Sequence, residues 1–294
     1  EITTRLVGSE MCIRDSCSVE SEEQLFATAR GLKKIGIQTL RGGIWKPRSR
    51  AHHFEGVGES GLRWLQRVLQ ELSMQVAIPG LPLFCGSMHP DLFFVRDVDV
   101  NYAGVVKGRK EEFVRLGLTE KTHYLASTGI QGQIADSRSL VLLDAYAVDG
   151  LQAEQIRFLH APEYLNPTYE YGVTFERGTA VTYGDRKQVF ISGTASIDNR
   201  GEIVYPGDIV KQTERMMENI SVLLKEADAT TRDITQAITY LRDMADYAVV
   251  KKYFEAHYPD LPHLIVLAPV CRPGWLIETE CIAVVPTESS FKPL

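Results

Sequence analysis

Apolar residues recur at helical spacing in two stretches of the chain's second half, and short apolar runs typical of strands lie between them. Asp208 directly precedes the longer helical stretch, so its side chain is predicted to cap that helix. Helices and strands in this order predict an α+β domain whose two helices cover one face of a mixed sheet. The predicted helices are residues 208–227 and 247–258, and the predicted strands are residues 188–197, 234–241, 264–270 and 276–285.

A short motif occurs twice in the chain, about one small domain apart. Arg96-Asp97 links an apolar strand to a helix that is predicted to start at Tyr102. Arg242-Asp243 links another apolar strand to a helix that is predicted to start at Tyr247. This self-similarity predicts tandem domains of one fold, of which the first copy keeps only its later half. The first copy is predicted to hold strands over residues 92–98, 124–130 and 140–148 and a helix over residues 102–116.

The beginning of the chain has a different character. Residues 1–16 show no periodicity and are predicted to be an unstructured or artefactual tail. Ser21 is predicted to cap an amphipathic helix that Gly36 ends. A short strand over residues 37–40, a second helix over residues 61–72 and a further strand complete a β/α unit, whose functional loops lie at the C-terminal ends of strands.

Four segments follow from these patterns. A tail is predicted over residues 1–16 and a β/α fragment over residues 17–77. A truncated half-domain is predicted over residues 78–150 and a complete domain over residues 151–294.

Composition narrows the function classes. A hydrophobic fraction of 44% and a charged fraction of 24% are ordinary for a globular protein, and no apolar run is long enough to span a bilayer. The net charge of -6 argues against a nucleic-acid surface. Five scattered cysteines without metal-finger spacing favour reduced thiols in a cytoplasmic protein.

The loop after the first strand of the β/α unit is rich in cations and glycine. Arg41, Lys46 and Arg48 flank or follow Gly42-Gly43, so the loop is a candidate anion site. On composition alone, a solvated basic loop explains the same residues and is the more common case.

The exact string in this region resembles the start of DAHP synthase, over about a fifth of the chain. The matching residues are 17–21, 40–48 and 54–58. In that family the region opens a (β/α)8 barrel, so the resemblance implies a partial segment derived from a TIM barrel. It further implies that Arg41 and Lys46 bind phosphoenolpyruvate, that Arg48 contacts the sugar phosphate and that Cys17 is a metal ligand.

The resemblance stops near Ala77, so most of the barrel and the remaining metal ligands have no counterpart. One cysteine cannot hold a catalytic divalent metal. We therefore expect no aldol-type synthase activity from this fragment, and a chimeric gene model is favoured over a functional fusion.

The end of the chain carries a second group of candidate residues. Glu278 and Glu280 fall on one face of the last predicted strand, where alternation in a half-buried sheet favours solvated carboxylates. Arg272 is either a surface arginine or a bidentate clamp for a carboxylate. Cys271 is more typical of a small core residue than of a nucleophile, because no base is identifiable near it.

The repeat and several local motifs resemble the RidA/YjgF family, with its chorismate-mutase-like fold. Residues 191–193 and 277–280 match the family in general, whereas residues 171–177 and 271–273 match its two-domain, chorismatase-like branch. The resemblance implies homotrimers with sites in clefts between subunits and no cofactor. It implies hydrolysis either of imines and enamines such as 2-aminoacrylate or, in the chorismatase branch, of the enolpyruvyl group of chorismate.

Residue by residue, the resemblance gives Glu278 the acidic role at the reacting carbon. The family's usual carboxylate-binding arginine would fall near Pro262-His263, so Arg272 or Arg177 is the expected substitute. Phe175 stands where simple members have a site tyrosine. Tyr171, Phe175 and Cys271 complete the expected substrate-binding group. These departures argue against ordinary imine deamination and leave an enolpyruvyl or cyclic carboxylate substrate open.

Three functions remain open on the sequence. The first is a small-molecule hydrolase or deaminase of RidA type joined to an inactive fragment. The second is a non-catalytic module that binds a carboxylate in the same cleft. The third is an aromatic-pathway protein whose N-terminal segment still binds a phosphate ester. All three predict a small-molecule partner and neither nucleic acid nor membrane.

Overall fold

A computed structural model describes residues 19–37, 39–44, 57–77, 88–133, 139–148 and 150–293. The described residues form two compact units, an N-terminal unit over residues 19–77 and a C-terminal unit over residues 88–293. No helix in these ranges combines the length and the apolar character needed to cross a membrane.

The N-terminal unit is a small β/α arrangement. Its elements are α1 (Glu22–Lys34), β1 (Thr39–Arg41), α2 (Glu59–Leu72) and β2 (Gln75–Ala77). The Ser21 hydroxyl accepts a hydrogen bond from the Gln24 amide, which confirms the predicted cap of α1. β1 and β2 pair in parallel, as a strand–helix–strand connection requires. Phe26 of α1 and Leu65 of α2 belong to one buried apolar cluster between the helices and strands.

The C-terminal unit contains three α-helices and nine strands among its described residues. The elements of its first part are β3 (Met88–Val95), α3 (Val98–Arg115), β4 (Ser127–Gln131) and β5 (Val141–Ala147). Those of its second part are β6 (Ile156–Leu159), β7 (Gly178–Thr182), β8 (Arg186–Ala195), α4 (Ile209–Glu226), β9 (Ile234–Leu241), α5 (Tyr247–His257), β10 (His263–Leu267) and β11 (Ile277–Pro286). We call the first part the first copy and the second part the second copy.

The second copy is built on a six-stranded sheet in the order β10-β9-β11-β8-β7-β6. α4 packs on one face of it through a fully buried apolar stripe. The Asp208 side chain accepts a hydrogen bond from the Lys211 amide and caps α4, as the sequence predicts. The stripe consists of Met216, Met217, Ile220, Leu223 and Leu224, all five of which are at most 1% exposed.

The first copy repeats the later half of this architecture. Its three strands have the order β4-β3-β5, and the last three strands of the second copy have the order β10-β9-β11. In both groups the first two strands pair in parallel and the last two pair antiparallel. The Arg96 amide donates to Leu140 O at 2.9 Å, and the Arg242 amide donates to Leu276 O at 3.0 Å. The repeated motif therefore marks a structural repeat.

Several element boundaries differ from the sequence prediction. α3 begins at Val98 and not at Tyr102, because Asp97 takes a left-handed conformation with φ of 46° and turns the chain into the helix earlier. β4 begins at Ser127, three residues later than predicted. The sequence analysis did not predict β6 and β7, because strands of four and five residues are too short to show a clear apolar pattern.

Candidate functional site

A small cleft, partly open to solvent, lies between the two copies within the C-terminal unit. The first copy contributes Tyr102, Ser127 and Gly129 to its wall. The second copy contributes all the candidate residues that the resemblance to the RidA/YjgF family gives. These are Tyr171, Phe175, Arg177, Cys271, Arg272 and Glu278, together with Val173, Gly193, Ala195, Ile197 and Trp275.

Glu278 stands in the middle of the sheet and faces the cleft from β11. It pairs with Ala195 of β8 on one side and with Tyr240 of β9 on the other, and it is only 4% exposed. Burial, reinforced by the nearby charge of Glu280 and opposed by Arg177, raises the pKa of Glu278 to about 8. Its carboxyl makes no hydrogen bond or ion pair with another described residue. At neutral pH the Glu278 carboxyl is therefore mainly protonated, and it donates this proton to no other described residue.

Glu280 lies two residues further along β11 and is also largely enclosed. The Tyr240 hydroxyl donates a hydrogen bond to it at 2.7 Å, and burial raises its pKa. The expectation of solvated carboxylates at 278 and 280 is therefore wrong. β11 is an interior strand whose second face is covered by the first copy, where Gly193 N donates to Thr128 Oγ1 at 2.8 Å. The pattern of apolar and polar residues along β11 does not show that the first copy packs on the second face of the sheet.

Gly193 makes room for the Glu278 carboxyl. A Cβ at position 193 would lie 2.0 Å from Glu278 Oε1 and 2.9 Å from Thr128 Cγ2. Residue 193 therefore has to be glycine if the carboxyl is to keep its place.

Arg177 is a buried cation at the base of the cleft, 4% exposed. Its Nη2 donates to the backbone oxygen of Asn166 at 2.8 Å and to Asn166 Oδ1 at 3.1 Å, and its Nε donates to the same backbone oxygen at 3.2 Å. Burial lowers the pKa of this guanidinium, but an arginine remains charged at any physiological pH. Arg177 is thus fixed by Asn166 before any ligand arrives.

Tyr171 lies between the two arginines of the cleft. It ends a 3-10 turn over Thr168–Tyr171, and Gly172 follows with φ of 87°, a conformation that favours glycine. The Arg177 guanidinium lies 5.3 Å from the centre of the Tyr171 ring, and the Arg272 guanidinium lies 4.6 Å from it. Both distances are those of cation–π contacts.

Two further aromatic rings extend this arrangement into a stack. Phe175 lies 5.5 Å from the Arg177 guanidinium, and Trp275 lies 5.1 Å from that of Arg272. Rings and cations therefore alternate along one wall of the cleft, in the order Phe175, Arg177, Tyr171, Arg272 and Trp275.

Arg272 differs from Arg177 in what its side chain binds. Its guanidinium is held by the Tyr171 and Trp275 rings, and its N–H groups make no hydrogen bond or ion pair within the described part of the chain. A planar guanidinium with free donors in a largely enclosed cleft is suited to bidentate binding of a carboxylate. Of the two interpretations of Arg272, the clamp fits this geometry better than a surface residue.

Cys271 is a half-buried residue whose thiol donates a hydrogen bond to Gly129 O and contacts the Tyr102 hydroxyl. Burial raises the pKa of the thiol far above neutrality, so almost no thiolate exists at pH 7. This agrees with the interpretation of Cys271 as a packing residue. Tyr102 and Gly129 were missed as site residues, although Tyr102 occupies the motif position that the repeat singles out.

The positions of the N-terminal unit's candidate side chains are not described by the structure. Arg41 ends β1, but its side chain lies outside the described part of the chain, as do Cys17, Lys46 and Arg48 altogether. The predicted phosphate and metal contacts of these residues therefore stay predictions.

Two family models match the sequence. That for Endoribonuclease L-PSP matches residues 178–285, which include the Glu278 strand and the Arg272 loop. That for the DAHP synthetase I family matches residues 9–92. Both parts of the sequence-based resemblance are thereby confirmed.

Relatives of the C-terminal unit fall into two groups. A RutC family protein of Pyrococcus abyssi is 37% identical over 98 residues, which are 32% of this chain and 76% of that protein. The 3-aminoacrylate deaminase RutC of Acinetobacter baylyi is 29% identical over 97 residues, 32% of this chain and 77% of that protein. A 3-hydroxybenzoate synthase of Streptomyces hygroscopicus is 30% identical over 196 residues, 61% of this chain and 56% of that protein.

The N-terminal segment has a relative of its own. A phospho-2-dehydro-3-deoxyheptonate aldolase of Thermotoga maritima is 41% identical over 69 residues, which are 24% of this chain. These residues are 20% of the aldolase, so the chain spans about a fifth of that relative's length.

A solved chorismatase structure matches the fold with a TM-score of 0.55 at 19% identity, over 76% of this chain and 69% of the chorismatase chain. This match shows the fold alone, an α+β arrangement of the kind that the sequence predicts. The 37% identity over 76% of the Pyrococcus protein carries the assignment: the chain belongs to the RidA/RutC family.

Proposed function

We propose that this protein is a hydrolase of small unsaturated carboxylates, with Glu278 as the acid and Arg272 as the carboxylate clamp. The observation that carries the proposal is the buried carboxyl of Glu278 in a cleft that also holds the Arg272 guanidinium, whose N–H groups bind no other described residue. Burial raises the pKa of Glu278 to about 8, so this carboxyl can act as a neutral acid at pH 7. A neutral acid can give up a proton at pH 7, which a solvated glutamate with an ordinary pKa cannot do efficiently.

The proposed reaction begins with proton transfer to carbon. The substrate has a C=C bond conjugated with a nitrogen or an ether oxygen, and a carboxylate on the same carbon as that heteroatom. Glu278 donates its proton to the terminal carbon, which leaves an iminium or oxocarbenium carbon and a Glu278 carboxylate. Water then adds to that carbon and gives its proton to Glu278. The tetrahedral adduct collapses to a keto acid and releases ammonia or an alcohol.

The arginines act on the carboxylate and on its charge. Arg272 binds the substrate carboxylate through its free N–H groups, and the Tyr171 and Trp275 rings keep its guanidinium plane in place. The Arg177 guanidinium is held by its hydrogen bonds to Asn166. It therefore contributes positive charge to the cleft, while Arg272 makes the direct contact with the substrate carboxylate. It also favours the Glu278 carboxylate that forms once the proton has left.

Two substrate classes fit this scheme, 2-enamines of carboxylates and enolpyruvyl ethers, and an enolpyruvyl ether is the favoured class. One relative, which matches 61% of this chain over 196 residues, is named for forming 3-hydroxybenzoate, a cyclic carboxylate. The stacked aromatic wall of the cleft suits a ring. The deaminase relative matches 97 residues only and supports an imine or enamine as the second candidate.

Assembly and location belong to the same proposal. The proposed assembly is a homotrimer, and the apolar edge strand β10, where Leu264 is 65% exposed and Leu267 is 53% exposed, offers a surface for contact between subunits. A cytoplasmic location is the setting in which the reduced thiols Cys271 and Cys281 would persist. The DAHP-synthase-like segment is proposed to be inactive, since it corresponds to a fifth of its aldolase relative.

The test is keto-acid release by the purified chain. Chorismate and enzymatically generated 2-aminoacrylate are supplied in parallel, and pyruvate is measured with the uncatalysed rate subtracted. Turnover of either substrate that Glu278→Gln abolishes, and that Glu288→Gln on the exposed C-terminal segment leaves intact, supports the proposal. Saturable binding without turnover would contradict it and favour the carboxylate-binding module.

A further inference from the structure

The Arg242 side chain connects the two copies of the C-terminal unit. Its Nη1 donates to Asp99 Oδ2 at 2.9 Å and its Nη2 donates to Asp99 Oδ1 at 3.1 Å, a bidentate ion pair. The same guanidinium donates to the backbone oxygen of Val270, and its Nε donates to that of Trp275 at 3.4 Å. One side chain thus holds both ends of the 270–275 loop and one residue of the other copy.

The loop that Arg242 holds carries part of the cleft. Cys271, Arg272 and Trp275 all lie between the two carbonyl groups that Arg242 binds, and all three line the cleft. The position of the proposed carboxylate clamp, Arg272, is therefore set by a loop that Arg242 fixes at its two ends.

The other partner of the ion pair belongs to the opposite wall. Asp99 is in the first turn of α3, and Tyr102 follows it by three residues, so the two side chains lie on neighbouring positions of one helix face. Tyr102 lines the cleft and contacts Cys271. The Arg242–Asp99 pair therefore joins the helix that carries Tyr102 to the loop that carries Arg272.

The equivalent arginine of the first copy shows which part of this arrangement is generic. Arg96 Nε donates to Ser139 O at 3.2 Å, as Arg242 Nε donates to Trp275 O. Holding the loop before the last strand is thus common to both copies. In addition to this shared contact, Arg242 makes a bidentate ion pair with Asp99 that links the second copy to the first.

We propose that the Arg242–Asp99 ion pair is a positioning device that keeps the two walls of the cleft in register. The expected effect of this pair on turnover rests on the proposed function. Its expected effect on the position of the 270–275 loop rests on the geometry alone. Loss of the pair leaves Arg242 without its anionic partner, so the 270–275 loop shifts relative to α3. The fold survives, because the Asp99 side chain is 48% exposed.

The test reads the loop directly, by ¹⁹F NMR of the full chain labelled with 5-fluorotryptophan. The chain has three tryptophans, and Trp275→Phe assigns the signal of Trp275. Asp99→Ala is expected to shift or broaden the Trp275 signal and leave the Trp64 signal in place. Asp99→Ala combined with Val100→Glu restores a negative charge to the first turn of α3 at a residue that is 79% exposed, and is expected not to restore the signal.

Turnover supplies the second measurement. With whichever substrate is hydrolysed, Asp99→Ala is expected to raise KM about tenfold, and Asp99→Glu is expected to recover part of this loss. Glu112→Gln, which removes an exposed ion pair on the same helix, serves as the matched control and should change neither measurement. A Trp275 signal in Asp99→Ala that superimposes on that of the unmodified protein would overturn the proposal, whether or not any substrate is turned over.

Discussion

Gly193 and Glu278 lie on neighbouring strands so closely that a methyl group at 193 would come within 2.0 Å of Glu278 Oε1. Gly193→Ala is therefore expected to displace the carboxyl and to lower kcat/KM at least tenfold, at a cost in stability of about 1–3 kcal/mol from overpacking. The measurements are steady-state kinetics and thermal unfolding. Gly108→Ala is the control, because a Cβ there meets no atom within 4 Å, and it should change neither quantity for the worse.

Glu278→Gln keeps the shape of the side chain and removes the proton that the reaction needs. We expect kcat to fall by about 10²–10⁴, the usual contribution of a general acid. Unfolding in denaturant at pH 9 should show a variant at least as stable as the unmodified protein, because a neutral amide replaces a buried charge. A variant that keeps full activity would remove Glu278 from the mechanism.

The sequence predicted the helices and the central strands because their apolar patterns are long. α4 and its cap at Asp208 were found on the periodicity and the capping residue alone. That Glu278, Arg272 and Arg177 share one cleft was predicted only from the family resemblance. The burial of Glu280 and the place of Tyr102 in the cleft were not predictable from strand alternation, since both depend on how the first copy covers the sheet of the second.

The N-terminal segment leads to a negative prediction. It matches 20% of an aldolase relative, so most of a barrel has no counterpart in the matched residues. The purified chain is expected to form no heptulosonate from phosphoenolpyruvate and erythrose 4-phosphate with Mn²⁺ present, as followed by loss of phosphoenolpyruvate absorbance. Lys46→Ala should leave keto-acid release at the C-terminal cleft unchanged. Heptulosonate formation that Lys46→Ala abolishes would restore the aromatic-pathway interpretation.

The two arginines of the cleft should respond differently to substitution. Arg272→Gln removes unpaired donors and is expected to raise KM about tenfold or more with little change in Tm. Arg177→Gln removes the partner of the Asn166 oxygens and is expected to destabilise the fold by about 1–3 kcal/mol, because buried acceptors lose their donors. Arg232→Gln, at an exposed position, is the control for both. Equal losses of stability in the two variants would contradict the assignment of separate roles.

The raised pKa of Glu278 also fixes the sign of the pH dependence. The folded protein holds this proton up to a pKa of about 8, whereas an unfolded glutamate releases it near 4.5. Between these values the folded state binds more protons than the unfolded state, so stability falls as pH rises from 4.5 to 8 and levels off above that range. Activity should fall over the upper part of the same range, because the acid form is lost. Denaturant titrations from pH 5 to 9, run beside Glu278→Gln, measure the effect. The variant should lose most of this slope, and an identical slope in both proteins would assign the proton to another group.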